Sequence, residues 1–161
     1  MSKELLKIND LKVSFFTPAG EVKAVNGISY SLERGKVLGI VGESGSGKSV
    51  SSYSIMGLID KPGKIVGGSI IFDGKDVFTM TKAERQNFAG NEVAMIFQDP
   101  MTCLNPVFTI GNQIAESLIH KYGKISKEEI KKRSIELLTL VGINEPEKRL
   151  AQYPHQFSGG M

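Results

Sequence analysis

The chain has 161 residues, 40% hydrophobic and 23% charged, which is typical of a soluble globular α/β protein and excludes a disordered or membrane-spanning one. Its net charge of +3 is not concentrated in either half, so it gives little support to a nucleic-acid partner. The single cysteine, Cys103, excludes an internal disulfide, and no signal-peptide core follows the N-terminus, so we expect a cytoplasmic protein.

Strand patterns dominate the first hundred residues. Apolar and polar residues alternate around Leu11, Val13 and Phe15 and again from residue 28 to 32, which predicts two half-buried strands. The nearly continuous apolar segments 36–41 and 93–97 predict strands that are covered on both faces. The sequence therefore predicts a sheet with both half-buried and fully buried strands.

Turn and cap signals connect these strands. The Asp73-Gly74 pair between apolar segments predicts a hairpin. Thr81 and Glu84 form a capping-box pattern for a short helix, which Gly90 would end.

After Pro106 the apolar period lengthens, which predicts helices. The first helix contains Ile110 and ends at Gly123, and a second begins at Ser126 and ends near Gly142. A short third helix is predicted to start at Asn144, with Pro146 in its first turn. We therefore place a sheet unit at residues 1–105 and a helical unit at residues 106–161.

Residues 42–49, GESGSGKS, match the phosphate-binding pattern G-x-x-x-x-G-K-S/T at every fixed position. Small residues let successive backbone N–H groups surround phosphate oxygens, and the N-terminus of the following helix adds positive potential. We predict a nucleotide site, with Lys48 on the β- and γ-phosphates and Ser49 on Mg²⁺. The alternative is an ordinary turn rich in glycine and serine.

Gln98 directly follows the predicted strand at 93–97, at the strand end where open α/β sheets bind ligands. A glutamine at this place could ligate Mg²⁺ and orient a water molecule. From local spacing alone, an ordinary surface glutamine at a strand end is the favoured interpretation.

Three ordered segments, GESGSGKS, MIFQDPMTCLNP and HQFSGGM, resemble the Walker A loop, the Q-loop and the start of the signature motif of ABC transporter ATP-binding subunits. QDPMTCLNP and YPHQFSGGM are most similar to the oligopeptide and dipeptide importer branch, some members of which carry nickel instead. The resemblance covers essentially the whole chain. It implies an α/β P-loop NTPase fold of ABC type, with a mixed sheet around the phosphate-loop helix and an α-helical subdomain.

The resemblance also implies roles for individual residues. Phe15, with Phe16 as the alternative, would stack on adenine, unless Phe15 is simply a core residue. Ser158, Gly159 and Gly160 would hold the γ-phosphate of ATP bound to a second copy, unless they form a flexible tail. The full predicted nucleotide-binding set is Gly42, Glu43, Ser44, Gly45, Ser46, Gly47, Lys48, Ser49, Val50, Phe15 and Gln98, with Ser49 and Gln98 as Mg²⁺ ligands.

Cys103 stands where the peptide branch usually has serine, and we expect a small packed side chain rather than a reactive thiol. His120 and His155 have no partner at ligand spacing, and we assign them no chemistry.

In the family, the signature is followed by a buried strand ending in Asp-Glu, which holds Mg²⁺ and polarises the attacking water, and later by a histidine. No aspartate follows Asp99 here. We therefore expect a chain truncated after the start of the signature motif, with no catalytic residue of its own, that binds nucleotide at most. That family strand lies beside the strand at 36–41, so we also expect an exposed apolar edge there, paired with a second copy or only partly ordered.

The intact parent would be an ATPase that powers peptide import by binding and hydrolysing ATP. Its expected partners are transmembrane permease subunits and a second ATP-binding subunit in a head-to-tail homo- or heterodimer, without nucleic acid, at the inner face of the cell membrane. Two alternatives stay open: a soluble ABC ATPase acting on nucleic acid or ribosomes, and a non-catalytic nucleotide-binding or assembly module.

Overall fold

The computed structural model describes residues 3–161, apart from the side chains of Pro100 and Met101. The chain forms two compact units, which divide between Val93 and Ala94. The boundary predicted between residues 105 and 106 lies further along the chain. The difference arises because residues 94–98 do not join the sheet and instead belong to the helical unit.

The first unit is built on a four-stranded sheet in the order β2-β1-β3-β4, in which every neighbouring pair is antiparallel. The strands are β1 (Glu4–Thr17), β2 (Gly20–Glu33), β3 (Gly63–Phe72) and β4 (Lys75–Asp76). The two strands predicted from alternation are confirmed as parts of β1 and β2. Helix α1 (Lys48–Met56) connects toward β3.

A register shift in β1 determines which of its side chains are buried. The pairing with β2 is irregular between Ile8 and Leu11, where Asp10 has a φ of 44°. Since one extra residue moves a strand's side chains to the other face, Ile8 and Leu11 both reach the core despite their odd spacing. The core of this unit contains Leu6, Ile8, Leu11, Val13, Val25, Ile70, Val77 and Phe88.

The hairpin and the capping box are both confirmed. Asp73 and Gly74 have φ angles of 47° and 80°, as a two-residue I′ turn requires. Thr81 caps helix α2 (Lys82–Asn87) reciprocally with Glu84. Gly90 does not end this helix, because the chain continues through a π-helical turn, Phe88–Glu92, that closes with Val93 N–H donating to the Phe88 carbonyl at 2.9 Å.

The strands predicted at 36–41 and 93–97 do not form. Neither segment belongs to the sheet, and the side chains of Val37 and Ile96 are 98% and 94% exposed. A strand exists only where a neighbour pairs with its backbone, and no described strand lies beside either segment. The expected exposed apolar stretch at 36–41 is present, but as irregular chain rather than as a strand edge.

The second unit is helical. It contains α3 (Pro100–Cys103), α4 (Ile110–Tyr122), α5 (Lys127–Leu140) and α6 (Pro146–Leu150). The predicted helix at Ile110 ends at Gly123 as expected, whereas the third helix is capped by Glu145 and not by Asn144. The core of this unit is formed by Ile110, Leu138 and Ile143, with Leu104, Ile114, Leu150 and Phe157 packed against it. Among residues 3–161, no helix is both long and apolar enough to cross a membrane.

Candidate nucleotide site

Residues 42–49 form a compact loop that leads into helix α1. The Ser46 N–H donates to the Glu43 carbonyl at 3.2 Å, and this turn folds the loop back on itself. Gly45 and Gly47 have φ angles of 82° and 87°, which residues with a Cβ rarely adopt. The predicted phosphate loop is thus a closed turn at the N-terminus of a helix, the arrangement that binds anions.

The Lys48 ammonium group lies inside this loop. Its Nζ donates to the carbonyl oxygens of Gly42 and Glu43 at 2.7 and 2.6 Å, and to Ser46 Oγ at 3.4 Å. The charge is therefore placed where the loop closes, beside the first turn of α1. This turn contains no acidic residue that would neutralise the positive helix end.

Serine hydroxyls stabilise the start of α1. Ser51 Oγ and Ser52 Oγ both donate to the Lys48 carbonyl, at 2.7 and 3.2 Å, and the Ser51 N–H donates to the Gly47 carbonyl at 2.9 Å. These contacts fix the backbone of Lys48, and with it the direction in which its side chain leaves the helix.

Strand β2 packs against the phosphate loop at Gly47. A Cβ on Gly47 would lie 2.5 Å from the Ala24 carbonyl oxygen and 3.2 Å from Val25 Cγ2. Further along β2, the Tyr30 hydroxyl is buried, and this burial raises the pKa of Tyr30, although the neighbouring Ser51 side chain lowers it. The loop and α1 are thereby seated on one strand of the antiparallel sheet.

The two candidate adenine-stacking residues differ in environment. Phe15 pairs with Val22 of β2 in the register of the sheet and packs against the core of the first unit. Phe16 is 46% exposed, and Lys64 Nζ lies 5.7 Å from the centre of its ring. Since Phe15 is opposite the part of β2 that precedes Ala24, it belongs to the same strand pair that supports the phosphate loop.

The remaining predicted site residues belong to the second unit. Gln98 is exposed and lies just before α3. Ser158, Gly159 and Gly160 are exposed in a turn in which the Met161 N–H donates to the Ser158 carbonyl at 2.9 Å. The structure describes each unit by itself, so it brings together residues 42–50 but does not relate them to Gln98 or to the signature residues.

No cluster of three or more His, Cys, Asp or Glu side chains that could hold a metal occurs in the part of the chain that the structure describes. Ser49 is exposed at the phosphate loop, where its hydroxyl is suited to a hard cation that also binds phosphate. The prediction that Cys103 is packed is wrong, because its side chain is exposed and its Sγ donates to the Asp99 carbonyl at 3.5 Å.

Sequence reasoning missed Gln113, which makes three hydrogen bonds to the segment between α3 and α4. Its partners, Asn105 and Phe108, lie in a loop, where no periodic pattern or motif marks them.

The family model of the ABC transporter matches residues 25–161. The chain belongs to the ABC transporter family. It is 56% identical over 158 residues to the oligopeptide transport ATP-binding protein OppD of Bacillus subtilis, covering 98% of this chain and 44% of that protein. It is 52% identical over 158 residues to the dipeptide transport ATP-binding protein DppD of Escherichia coli, covering 98% of this chain and 48% of that protein.

A solved ABC structure has the same fold. The ATP-binding cassette MJ0796, determined as a dimer in a post-hydrolysis state with ADP and phosphate, has a TM-score of 0.82 and 26% identity, covering 97% of this chain and 64% of that one. The ABC-type fold and the resemblance to peptide-importer subunits predicted from the sequence are thus confirmed. The chain spans less than half the length of the two transport proteins.

Proposed function

We propose that this ABC-family chain is the nucleotide-binding part of an ATP-binding subunit that powers the import of peptides across a membrane. The observation that carries the proposal is the phosphate loop, in which the Lys48 ammonium lies within 2.7 Å of two loop carbonyls at a helix N-terminus. The identities to OppD and DppD support peptides as the transported class.

The loop is suited to hold the phosphates of ATP. Backbone N–H groups of residues 44–49 would donate to phosphate oxygens, for which the Ser46 N–H would leave the Glu43 carbonyl. Lys48 would likewise exchange its carbonyl partners for the β- and γ-phosphates. Ser49 would ligate Mg²⁺, which neutralises phosphate charge when it is bound. Phe15 would stack on adenine at the edge of the same strand pair.

The second unit would act on the same nucleotide and on a neighbouring one. Gln98 would ligate Mg²⁺ and sense the γ-phosphate, and Ser158, Gly159 and Gly160 would hold the γ-phosphate of ATP on a second ATP-binding subunit. ATP-driven closure of that dimer, followed by hydrolysis in the intact parent, would drive the permease subunits at the inner face of the cell membrane.

Calorimetric titration of the purified chain with Mg-ATP tests this proposal. Hydrogen bonds to a charged group contribute about 1.5–3 kcal/mol, so Lys48→Ala should weaken ATP binding roughly 10- to 150-fold. Lys36→Ala is the matched control. Lys36 is exposed and lies ahead of the loop, and its replacement by alanine removes the same charge. Equal ATP affinities for the Lys48 variant and the unchanged chain would overturn the assignment.

A further inference from the structure

Phe15 lies on the face of the sheet against which the phosphate loop packs. Side chains two residues apart on a strand share a face, so Phe15 lies on the same side of β1 as Val13, which pairs with Val25 of β2. Val25 Cγ2 lies 3.2 Å from the position of a Cβ on Gly47. The ring of Phe15 is therefore on the same side of the sheet as the loop, whereas Phe16 lies on the opposite face.

The ring of Phe15 takes up the space beside Gly63 of β3. The two residues are partners in the register of β1 and β3, and a Cβ on Gly63 would lie 2.7 Å from Phe15 Cε1. On the other side, the register partner of Phe15 is Val22, whose side chain is 56% exposed. The edge of the ring therefore occupies the place that the side chain of any other residue at position 63 would fill.

The backbone at Gly63 is held in place by hydrogen bonds. The Gly63 N–H donates to the Asp60 carbonyl at 2.8 Å, and the Phe16 N–H donates to the Pro62 carbonyl at 3.1 Å. Gly63 is buried, and a Cβ at this position would also lie 2.8 Å from Ile59 Cγ2 and 3.0 Å from the Asp60 carbonyl oxygen. A methyl group there would have no free space, so it would displace the neighbouring side chains.

Space, and not backbone conformation, requires glycine at position 63. The φ angle of Gly63 lies outside the left-handed region, so a residue with a Cβ could adopt the same backbone. Gly67 on the same strand also has a φ outside that region, but the three atoms nearest to a Cβ there belong to the Lys12 side chain, the closest at 3.3 Å. A flexible lysine side chain gives way to such a contact, whereas the Phe15 ring, which packs against the core, must turn.

We propose that Gly63 is a positioning residue for nucleotide binding, which leaves the Phe15 ring the space it needs to stack on the base. The inference rests on the proposed function, because Phe15 is taken there as the residue that contacts adenine. A larger residue at position 63 would turn the ring away from β3 and reduce its overlap with the base. The phosphate loop would stay in place, because it packs against β2.

A double-mutant cycle, measured by calorimetric titration with Mg-ATP, tests this role. Gly63→Ala adds the methyl group. Phe15→Leu removes the ring that this methyl group would meet and keeps an apolar side chain. Gly67→Ala is the matched control, because it adds the same methyl group to the same strand beside a flexible side chain.

Stacking of a base on an aromatic ring is strong enough that Phe15→Leu and Gly63→Ala should each weaken ATP binding at least about fivefold. Gly67→Ala should leave the ATP affinity unchanged within about twofold, and the double variant should bind ATP as Phe15→Leu does within the same margin, because no ring remains for Gly63 to position. A merely structural role of Gly63 would instead weaken ATP binding by the same factor with and without the ring.

Three results would overturn the positioning role and leave the proposed function intact: an unchanged ATP affinity in Gly63→Ala, an equal loss in Gly67→Ala, or a further loss when Gly63→Ala is added to Phe15→Leu. If Gly63→Ala alone fails to fold, the double variant decides. ATP binding equal to that of Phe15→Leu supports the role, and weaker binding or a failure to fold overturns it.

The remaining outcomes separate this inference from the function on which it rests. An unchanged ATP affinity in Phe15→Leu would overturn the role of Gly63 together with the adenine contact, but not the role of the phosphate loop. Absence of Mg-ATP binding by the unchanged chain would overturn the proposed function, and the positioning role with it.

Discussion

Gly47 lies so close to Ala24 that a β-carbon on the glycine would sit 2.5 Å from the Ala24 carbonyl oxygen. The phosphate loop therefore touches the backbone of β2, and its position depends on the antiparallel sheet. The glycine of the motif is required here for contact with the protein itself as well as for its φ angle of 87°.

Alanine at positions 45 and 47 separates these two requirements. Both glycines have positive φ angles, but a Cβ on Gly45 would meet no atom within 4 Å. Gly45→Ala should cost about 1–2 kcal/mol of unfolding free energy from backbone strain alone, and Gly47→Ala distinctly more, since it also displaces β2. Urea unfolding of the two variants measures the difference, and equal costs would show that the contact with Ala24 is unimportant.

The exposed apolar segment 36–41 should promote self-association. Val37 and Val41 are almost fully exposed, so replacing both by lysine removes apolar surface from water without opening a cavity. We expect a free energy of unfolding unchanged within about 0.5 kcal/mol per site and weaker concentration-dependent association in sedimentation velocity. Val25→Lys, at a buried position, is the contrasting variant and should unfold the chain. Strong destabilisation by the double lysine variant would mean that segment 36–41 is covered.

Tyr30 should make the chain less stable at alkaline pH. Burial raises the pKa of its hydroxyl above the ordinary value near 10. Above about pH 10 the unfolded chain releases this proton while the folded chain keeps it, so stability is full below that pH and falls as the pH rises.

Urea unfolding at several pH values between about 8 and 11 measures this dependence. Tyr30→Phe should reduce the alkaline loss, and at neutral pH it should be tolerated because it removes a buried hydroxyl. Tyr122→Phe, at an exposed tyrosine, is the control. An identical alkaline profile for Tyr30→Phe and the unchanged chain would contradict the prediction.

Glu84 should make the chain less stable at acid pH, whereas Tyr30 does so at alkaline pH. The backbone N–H of Thr81 donates to its carboxylate and is the main cause of its lowered pKa. This contribution to stability is present above the ordinary glutamate pKa and is lost as the pH falls through the lower pKa of the folded state. Glu84→Gln should therefore flatten the acid side of the stability profile, measured by urea unfolding, relative to Glu21→Gln on β2. A profile as steep as that of the unchanged chain would disprove it.

The sequence was sufficient where a signal is local. The alternation through Leu11 and Val13, the Asp73-Gly74 turn and the Thr81 cap each depend on neighbouring residues, and each is confirmed. The apolar runs at 36–41 and 93–97 were misread because such a run shows that a segment is apolar but not that partner strands are present to cover it. Gln113 was missed for a related reason: its partners are backbone groups eight and five residues away, and backbone groups leave no mark in the sequence.

The Lys48 ammonium group offsets the partial negative charges of two carbonyl oxygens inside the phosphate loop. It draws together these two oxygens, which would otherwise repel each other across the turn. An anion that arrives at this loop must compete with those carbonyls for the same proton donors, so its affinity is the difference between two sets of bonds. The loop is therefore selective: a ligand can displace the two carbonyl oxygens only if it binds the Lys48 ammonium group more strongly than they do.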